Sequence, residues 1–269
     1  MTKLKGIDVS VHQGDIDWRK VRADGIDFAI IKATQGRGEG VETKKLRKFR
    51  DSRFVDNITE ATVNGIACGV YHYFTAKNIF EAREEAAYFL ATIKPHADKI
   101  KLWAVVDVES KMWLGEVDKP TLTKAVREFM DKVAEAGYKP MLYTNLDFLT
   151  YRYEPGAFAD TEKMLAHWGA QMPKTVPHVR IWQYSICERV DGIKTDVDAD
   201  RGYFELPEVG ESAPTPVYVE GNIYRIKAGD RYTSGLAVPD RLVGEAYPIV
   251  AVREGRIRLG NGLNSWIKV

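Results

Sequence analysis

The segment WAVVDVES (103–110) ends an apolar run with two acids, Asp107 and Glu109. The run from Trp103 to Val106 is typical of a strand buried on both faces, as in a parallel sheet covered by helices. Residues i and i+2 of a strand point to the same side, so both carboxylates project from one face, with backbones roughly 6–7 Å apart. Such a pair can do acid–base chemistry, or both acids can simply face solvent at a strand end.

Two further acids, Asp8 and Asp198, fall in the first and last predicted strands. In a closed barrel these strands are neighbours, so both acids could face a mouth shared with Asp107 and Glu109. Clustered carboxylates repel each other, so one of them keeps its proton near neutral pH. A protonated acid opposite a charged carboxylate is the arrangement that glycoside hydrolysis requires.

Polar and aromatic residues near the same predicted rim could hold a sugar, although aromatic side chains in strands are also ordinary core residues. We consider as substrate-binding candidates Tyr71, Tyr73, Tyr143, Trp168, Gln183 and His12.

Strand-like and helix-like segments alternate over the first 204 residues. The predicted strands are 6–10, 28–34, 66–74, 101–109, 139–145, 164–170, 179–185 and 196–204. Apolar residues at helical spacing predict helices over 78–93, with Asn78 as cap, and over 120–136. Two further helices fit 18–24 and about 47–64.

The later connectors, 171–178 and 186–195, are too short or too rich in Pro and Gly for full crossover helices. The fold class is therefore α/β, with eight strands in a TIM-like, parallel-rich barrel whose helical ring is incomplete. In such barrels chemistry takes place at the C-terminal ends of the strands, where Asp107 and Glu109 stand.

Residues 205–217, ELPEVGESAPTPV, have the composition of a linker. The tail, 218–269, contains short strand-like runs broken by Glu254-Gly255 and Asn261-Gly262, which are hairpin signals. We predict three parts: a catalytic barrel (1–204), a linker (205–217) and a small all-β module (218–269).

Composition excludes several function classes. The 269-residue chain has a formal net charge of +1, so no basic field indicates a nucleic-acid partner. No apolar run approaches 18 residues, so we expect no membrane span. The start, MTKLKGIDVSVHQG, has no apolar core of a signal peptide. Cys68 and Cys187 make no disulfide framework.

We also expect no metal and no cofactor. DVDAD (196–200) has the acids of a calcium loop, but Arg201 and Pro207 replace its Gly and Glu. The five histidines lack zinc-site spacing.

Seven segments, in order, resemble the muramidases of glycoside hydrolase family 25, the Chalaropsis-type lysozymes. They are GIDVSVHQG (6–14), FAIIKATQG (28–36), GVYHYF (69–74), WAVVDVE (103–109), MLYTN (141–145), IWQYS (181–185) and GIKTDVDAD (192–200). The resemblance implies a flattened (β/α)5(β)3 barrel that cleaves the β-1,4 bond between N-acetylmuramic acid and N-acetylglucosamine in bacterial peptidoglycan.

The resemblance also implies roles. Glu109 would protonate the leaving oxygen. Asp107 would support attack by the N-acetyl group of the substrate, giving retention of configuration. Asp8 and Asp198 would hold substrate or tune this pair, and Asp196 is the weaker rival of Asp198. Two positions depart from the family pattern: Gln35 stands where Glu is frequent, and Asp200 where Asn is usual.

The tail resembles, less specifically, bacterial SH3-like wall-binding modules, chiefly through GRIRLGNGLNSWIKV (255–269). Together with the missing signal peptide, this predicts an endolysin-like enzyme of a phage or prophage, made in the cytoplasm and acting on the wall after release.

Other functions remain open at this point. A chitinase-type pattern would need Asp where Leu102 and Val105 stand. A non-catalytic sugar-binding barrel would be expected to lack some of the four acids, and all are present. An adhesin that binds the wall through its tail is the third alternative.

Overall fold

The computed structural model describes residues 3–36, 49–169, 171–207, 218–227, 229–253 and 255–269. Their contacts divide the chain into two compact units, Met1–Ser212 and Ala213–Val269. Most of the predicted linker, residues 208–217, lies outside the described residues.

The first unit is an eight-stranded closed barrel, as predicted. Its described strands are β1 Leu4–Val9, β2 Phe28–Gln35, β3 Phe49–Arg50, β4 Ala67–Tyr73, β5 Ile100–Asp107, β6 Pro140–Asn145, β7 Lys163–Ala166, β8 Val179–Glu188 and β9 Val197–Gly202. The order β1-β9-β8-β7-β6-β5-β4-β2 closes through a β1–β2 pairing, and the two-residue β3 pairs only at the edge of β2.

The last barrel strand runs against its neighbours. β9 is antiparallel to both β1 and β8, whereas the other barrel pairings are parallel. The connection 189–196 holds no helix and is too short for a parallel crossover, which requires a dozen or more residues. As a result, β9 begins at the barrel end where β1 finishes, and Asp198 pairs directly with Asp8.

Helices cover the first half of the barrel. They are α1 Trp18–Ala23, α2 Phe54–Val63, α3 Ile79–Ile93, α4 Lys111–Leu114, α5 Lys119–Glu135 and α6 Leu146–Tyr151, with 3-10 turns at Val11–Gln13 and Lys94–Lys99. The predicted cap of α3 is confirmed, because the Asn78 side chain accepts from the amide of Glu81. No helix among the described residues is long and apolar enough to cross a membrane.

Two predicted elements have clearly different boundaries in the structure, and two short helices were not predicted. The helix expected over about 47–64 begins only at Phe54, because residues 49–50 form β3 and Asp51 accepts the amide of Arg53; residues 47–48 lie outside the described residues. The strand expected over 164–170 ends at Ala166. The short helices α4 and α6 were not predicted, since each offers too few turns for a periodic pattern.

The barrel interior is apolar away from the C-terminal ends of the parallel strands. Phe28, Ile30, Trp103 and Met141 are buried there, in a cluster separate from the one beneath the helices. Gly6 makes room for Phe28, because a Cβ at Gly6 would lie 2.1 Å from the Phe28 Cζ atom. Polar side chains therefore gather at one end of a filled barrel.

The second unit is all-β in its described part. Strands β10 Ile223–Arg225, β11 Ala246–Arg253, β12 Arg256–Leu259 and β13 Trp266–Lys268 form one antiparallel sheet in chain order, with a 3-10 turn at Asp240–Leu242. A small core is buried on one side, at Tyr224, Ile226, Val238, Ile249, Ile257, Leu259 and Ile267. Asn261 and Gly262, between β12 and β13, both have positive φ, as a tight turn requires. The SH3-like assignment stays a prediction.

Candidate active site

One cavity of about 210 Å³ opens at the C-terminal ends of the parallel strands. It is lined by Asp8, His12, Ile30, Lys32, Tyr71, Tyr73, Val105, Asp107, Glu109, Tyr143, Met164 and Asp198. The structure thus brings together the four acids singled out in the sequence.

Asp107 and Glu109 reach the cavity because the strand alternation continues past the end of β5. Val106 and Val108, which flank Asp107, point the other way and pack under the helices. Burial, followed by the charge of Glu109, raises the pKa of Asp107 well above its usual value. Burial also raises the pKa of Glu109. Repulsion within such a pair disfavours the ionisation of both carboxyls at once.

The two acids differ in their hydrogen bonds. The Oδ1 atom of Asp107 is buried and has no partner among the described residues, and the carboxyl group of this residue lines the cavity, where it can accept a hydrogen bond from a ligand. Glu109 Oε2 lies 3.2 Å from the hydroxyl of Tyr143. Asp107 is therefore suited to bind a donor, and Glu109 to exchange a proton.

Asp8 and Asp198 form a second carboxyl pair across β1 and β9. Burial and then the charge of Asp198 raise the pKa of Asp8 well above its usual value, and burial raises the pKa of Asp198. Asp196, the alternative to Asp198 as the acid of the last strand, is exposed and forms an ion pair with Arg189 at 2.9 Å. Of the two, Asp198 is the acid that faces the cavity.

Gln183 lies beneath the cavity and connects these groups. Its Nε2 donates to Asp8 Oδ2 at 2.8 Å and to Asp198 Oδ2 at 3.3 Å. Its Oε1 accepts from the hydroxyl of Tyr143 at 3.1 Å and from Nε1 of Trp168 at 3.2 Å. The side chain was predicted to bind substrate, but it is buried and its polar atoms are already engaged. This geometry suits a positioning residue.

Tyr143 has one hydroxyl hydrogen and two acceptors within reach, Glu109 and Gln183. The carboxyls that accept from Nε2 fix the orientation of the Gln183 amide, so its Oε1 remains an acceptor. When Glu109 is protonated, it can donate to the Tyr143 oxygen while Tyr143 donates to Gln183. When Glu109 is ionised, Tyr143 can donate to it instead. The phenol can thus stabilise both states of Glu109.

The other predicted substrate-binding residues divide into two groups. Tyr71, Tyr73 and His12 line the cavity. Trp168 lies outside that lining on the segment after β7, with 59% of its surface exposed, and its ring is held by the bond to Gln183. An exposed, anchored indole is a suitable platform for a sugar face.

Two inward-facing polar residues were missed as site residues, Lys32 and Asp200. Lys32 continues the inward series Phe28, Ile30 along β2, and Asp200 follows Asp198 on β9. Period-two alternation from their neighbours would have found both. Both oxygens of Asp200 are buried and lack a partner among the described residues.

We expect Asp200→Asn to stabilise the protein at pH 8 and to have little effect at pH 4. Burial, then the charge of Asp8, raises the pKa of Asp200 well above its usual value. The unfolded chain therefore loses the Asp200 proton at a lower pH than the folded protein does. As a result, the free energy of unfolding falls as the pH rises above the pKa of Asp200 in the unfolded chain. Because Asn cannot ionise, the melting temperature of the Asp200→Asn protein at pH 8 should exceed that of the native protein by about 2–8 °C.

Thermal melting at the two pH values checks this expectation, with Asp191→Asn on the surface as the control. Equal shifts at both pH values would show that the effect does not come from ionisation of Asp200, and a lower melting temperature at pH 8 would contradict its raised pKa.

Among the described residues, no group of three or more His, Cys, Asp or Glu side chains has a metal-binding arrangement. In the part of the chain that the structure describes, the site is a carboxylate cluster with one lysine, Lys32, in its wall.

Comparisons with known proteins agree with this architecture. Lysozyme M1 of Streptomyces globisporus is 31% identical over 212 residues, covering 74% of this chain and 67% of that protein. An N,O-diacetylmuramidase of a Chalaropsis species is 29% identical over 195 residues, covering 68% and 88%. A crystal structure of a Streptomyces coelicolor lysozyme superposes with a TM-score of 0.62 at 26% identity, covering 75% of this chain and 93% of that one.

The sequence pattern of the glycosyl hydrolases family 25 matches residues 7–193, which span most of the barrel and include Asp8, Asp107 and Glu109. The chain therefore belongs to the glycosyl hydrolases family 25 and is a glycoside hydrolase.

Proposed function

We propose that this enzyme is a muramidase that cleaves the β-1,4 bond between N-acetylmuramic acid and N-acetylglucosamine in peptidoglycan. The observation that carries the proposal is the convergence of Asp107 and Glu109 on one open cavity, with Asp8 and Asp198 opposite them. The names of the relatives, lysozyme and diacetylmuramidase, support the same substrate.

Glu109 is the general acid in this mechanism. Its raised pKa keeps the proton available near neutral pH, and its position beside the opening allows transfer to the glycosidic oxygen as the bond breaks. In the second step the Glu109 carboxylate takes a proton from the water that attacks the anomeric carbon. The hydroxyl of Tyr143 follows this cycle, accepting from the acid and donating to the carboxylate.

Asp107 assists the substrate's own acetamido group. Its carboxylate, which lines the cavity, accepts the acetamido N–H, which orients the carbonyl oxygen toward the anomeric carbon. That oxygen attacks as the leaving sugar departs, and the resulting oxazolinium-like cation is stabilised by the negative carboxylate. Water then opens the ring from the face that the leaving group occupied, so the β configuration is retained.

The remaining polar residues position the reactants. Gln183 holds the Asp8–Asp198 pair and accepts from Tyr143 while Glu109 is protonated, and Tyr71 and Tyr73 form the wall beside them. Trp168 offers its exposed face to a sugar beyond the cavity.

Proton NMR of a soluble peptidoglycan oligomer during cleavage tests the proposed route. We expect the β anomer of the new reducing end to appear first and then to mutarotate. Initial formation of the α anomer would indicate inversion and would exclude the acetamido route.

We also propose that the all-β unit binds the wall and thereby raises the concentration of the barrel at an insoluble substrate. A chain ending at residue 207 should then lose activity on intact cells much more than on short soluble glycans. If the unit instead stabilises the barrel, truncation should lower the melting temperature and both activities together. Measuring all three quantities on the same truncated protein distinguishes these outcomes.

A further inference from the structure

Lys32 lines the catalytic cavity, and its side chain lies on the same side of β2 as that of Gln35, which a regular strand would not allow. Residues three apart normally point to opposite sides of a strand. Here Lys32 pairs with Tyr71 and Thr34 with His72, so Ala33 is an extra residue in β2. This bulge moves Thr34 to the helix side, where it bonds His72, and returns Gln35 to the inside.

The ammonium group of Lys32 is held by neutral groups. Its Nζ donates to Gln35 Oε1 at 3.0 Å. It lies 5.0 Å from the ring centroid of Tyr73, 5.8 Å from that of Tyr71 and 5.6 Å from that of Phe49. An amide oxygen and aromatic faces stabilise a cation but do not neutralise its charge. Since only 7% of Lys32 is exposed, water screens that charge weakly.

The charge of Lys32 acts on the catalytic carboxyls. Burial lowers the pKa of Lys32, and attraction to Asp107, then Asp51 and Glu109, opposes this shift. Both carboxyl oxygens of Asp51 are already engaged, because they accept hydrogen bonds from the backbone amides of Val11 and Arg53. The titratable groups facing the cavity from the other elements are Asp8, His12, Tyr71, Tyr73, Tyr143 and Asp198. Among the described residues that line the cavity, Lys32 is the one lysine or arginine.

We propose that Lys32 is a positioning residue whose positive charge favours ionisation of Asp107, so that the negative charge of the pair can rest on Asp107 while Glu109 holds a proton. The inference rests on the proposed function for its mechanistic meaning. Two adjacent buried carboxyls would otherwise both remain largely protonated, which would leave no anion to support the acetamido group. The neutral Gln35 is part of this arrangement, because an acid at that position would form an ion pair with Lys32.

The test has two parts. Carbon-13 NMR of the ligand-free protein monitors the titration of the Asp107 and Glu109 carboxyls, and kinetic measurements give the pH–rate profile. In Lys32→Met we expect the titration of Asp107 to move up by at least about one pH unit. The acidic limb of the pH–rate profile should move with it, because activity appears only as Asp107 ionises. Lys32→Arg should restore the Asp107 titration toward the native value.

Gln35→Glu provides an independent variant that leaves Lys32 in place. A carboxylate beside the Lys32 ammonium group should raise the pKa of Asp107, by less than Lys32→Met does. Thermal melting of each variant verifies folding, and the second variant tests the inference even if the first does not fold.

The two proposals fail differently. An unchanged Asp107 titration in folded Lys32→Met and Gln35→Glu, with native activity on glycans intact, would overturn the role of Lys32 alone. Shifted titrations in a protein that cleaves no glycan would support the charge relation and overturn the proposed function.

Discussion

Glu109→Gln is expected to lower the rate of peptidoglycan cleavage by about 10²–10⁴-fold with little change in melting temperature. Gln has nearly the same size as Glu and can still bond Tyr143, but it carries no transferable proton. The measurement is the rate of release of reducing ends from purified walls, with melting recorded on the same sample.

Glu116→Gln is the matched control, because Glu116 is an exposed acid on the surface after α4. It should retain native activity. A folded Glu109→Gln protein with the full native rate would remove Glu109 from the mechanism.

Asp107→Asn is expected to lower the rate of peptidoglycan cleavage by about 10²–10³-fold, for a different reason. Asn preserves the side-chain shape but not the negative charge that stabilises the oxazolinium-like cation. The exposed Asp131 on α5 supplies the control, Asp131→Asn.

An aryl glycoside with a good leaving group separates the two roles. Such a leaving group needs no proton, so Glu109→Gln should recover most of its rate on this substrate, whereas Asp107→Asn should not. Equal recovery in both variants would contradict the assignment of one acid and one electrostatic stabiliser.

The sequence predicted the features of the site that depend on local alternation. A buried run ending in D-x-E is sufficient to place Asp107 and Glu109 on one face, and adjacency of the first and last barrel strands is sufficient to bring Asp8 near Asp198. Both relations follow from the period of a strand and from barrel closure.

Long-range pairing determined what the sequence did not predict. The bulge at Ala33 appears only in the register between β2 and β4, and it decides that Gln35 faces Lys32. Gln183 becomes a buried connector only because β8 lies beside the antiparallel β9 and near Tyr143. Neither relation is encoded within a single segment.

The most direct test of the central claim is to identify the new reducing ends in walls digested by the full chain. After borohydride reduction, mass spectrometry of the fragments should find the reduced sugar to be N-acetylmuramic acid, and these fragments should be absent with Glu109→Gln. Reduced N-acetylglucosamine, or free peptide stems without glycan cleavage, would contradict the account.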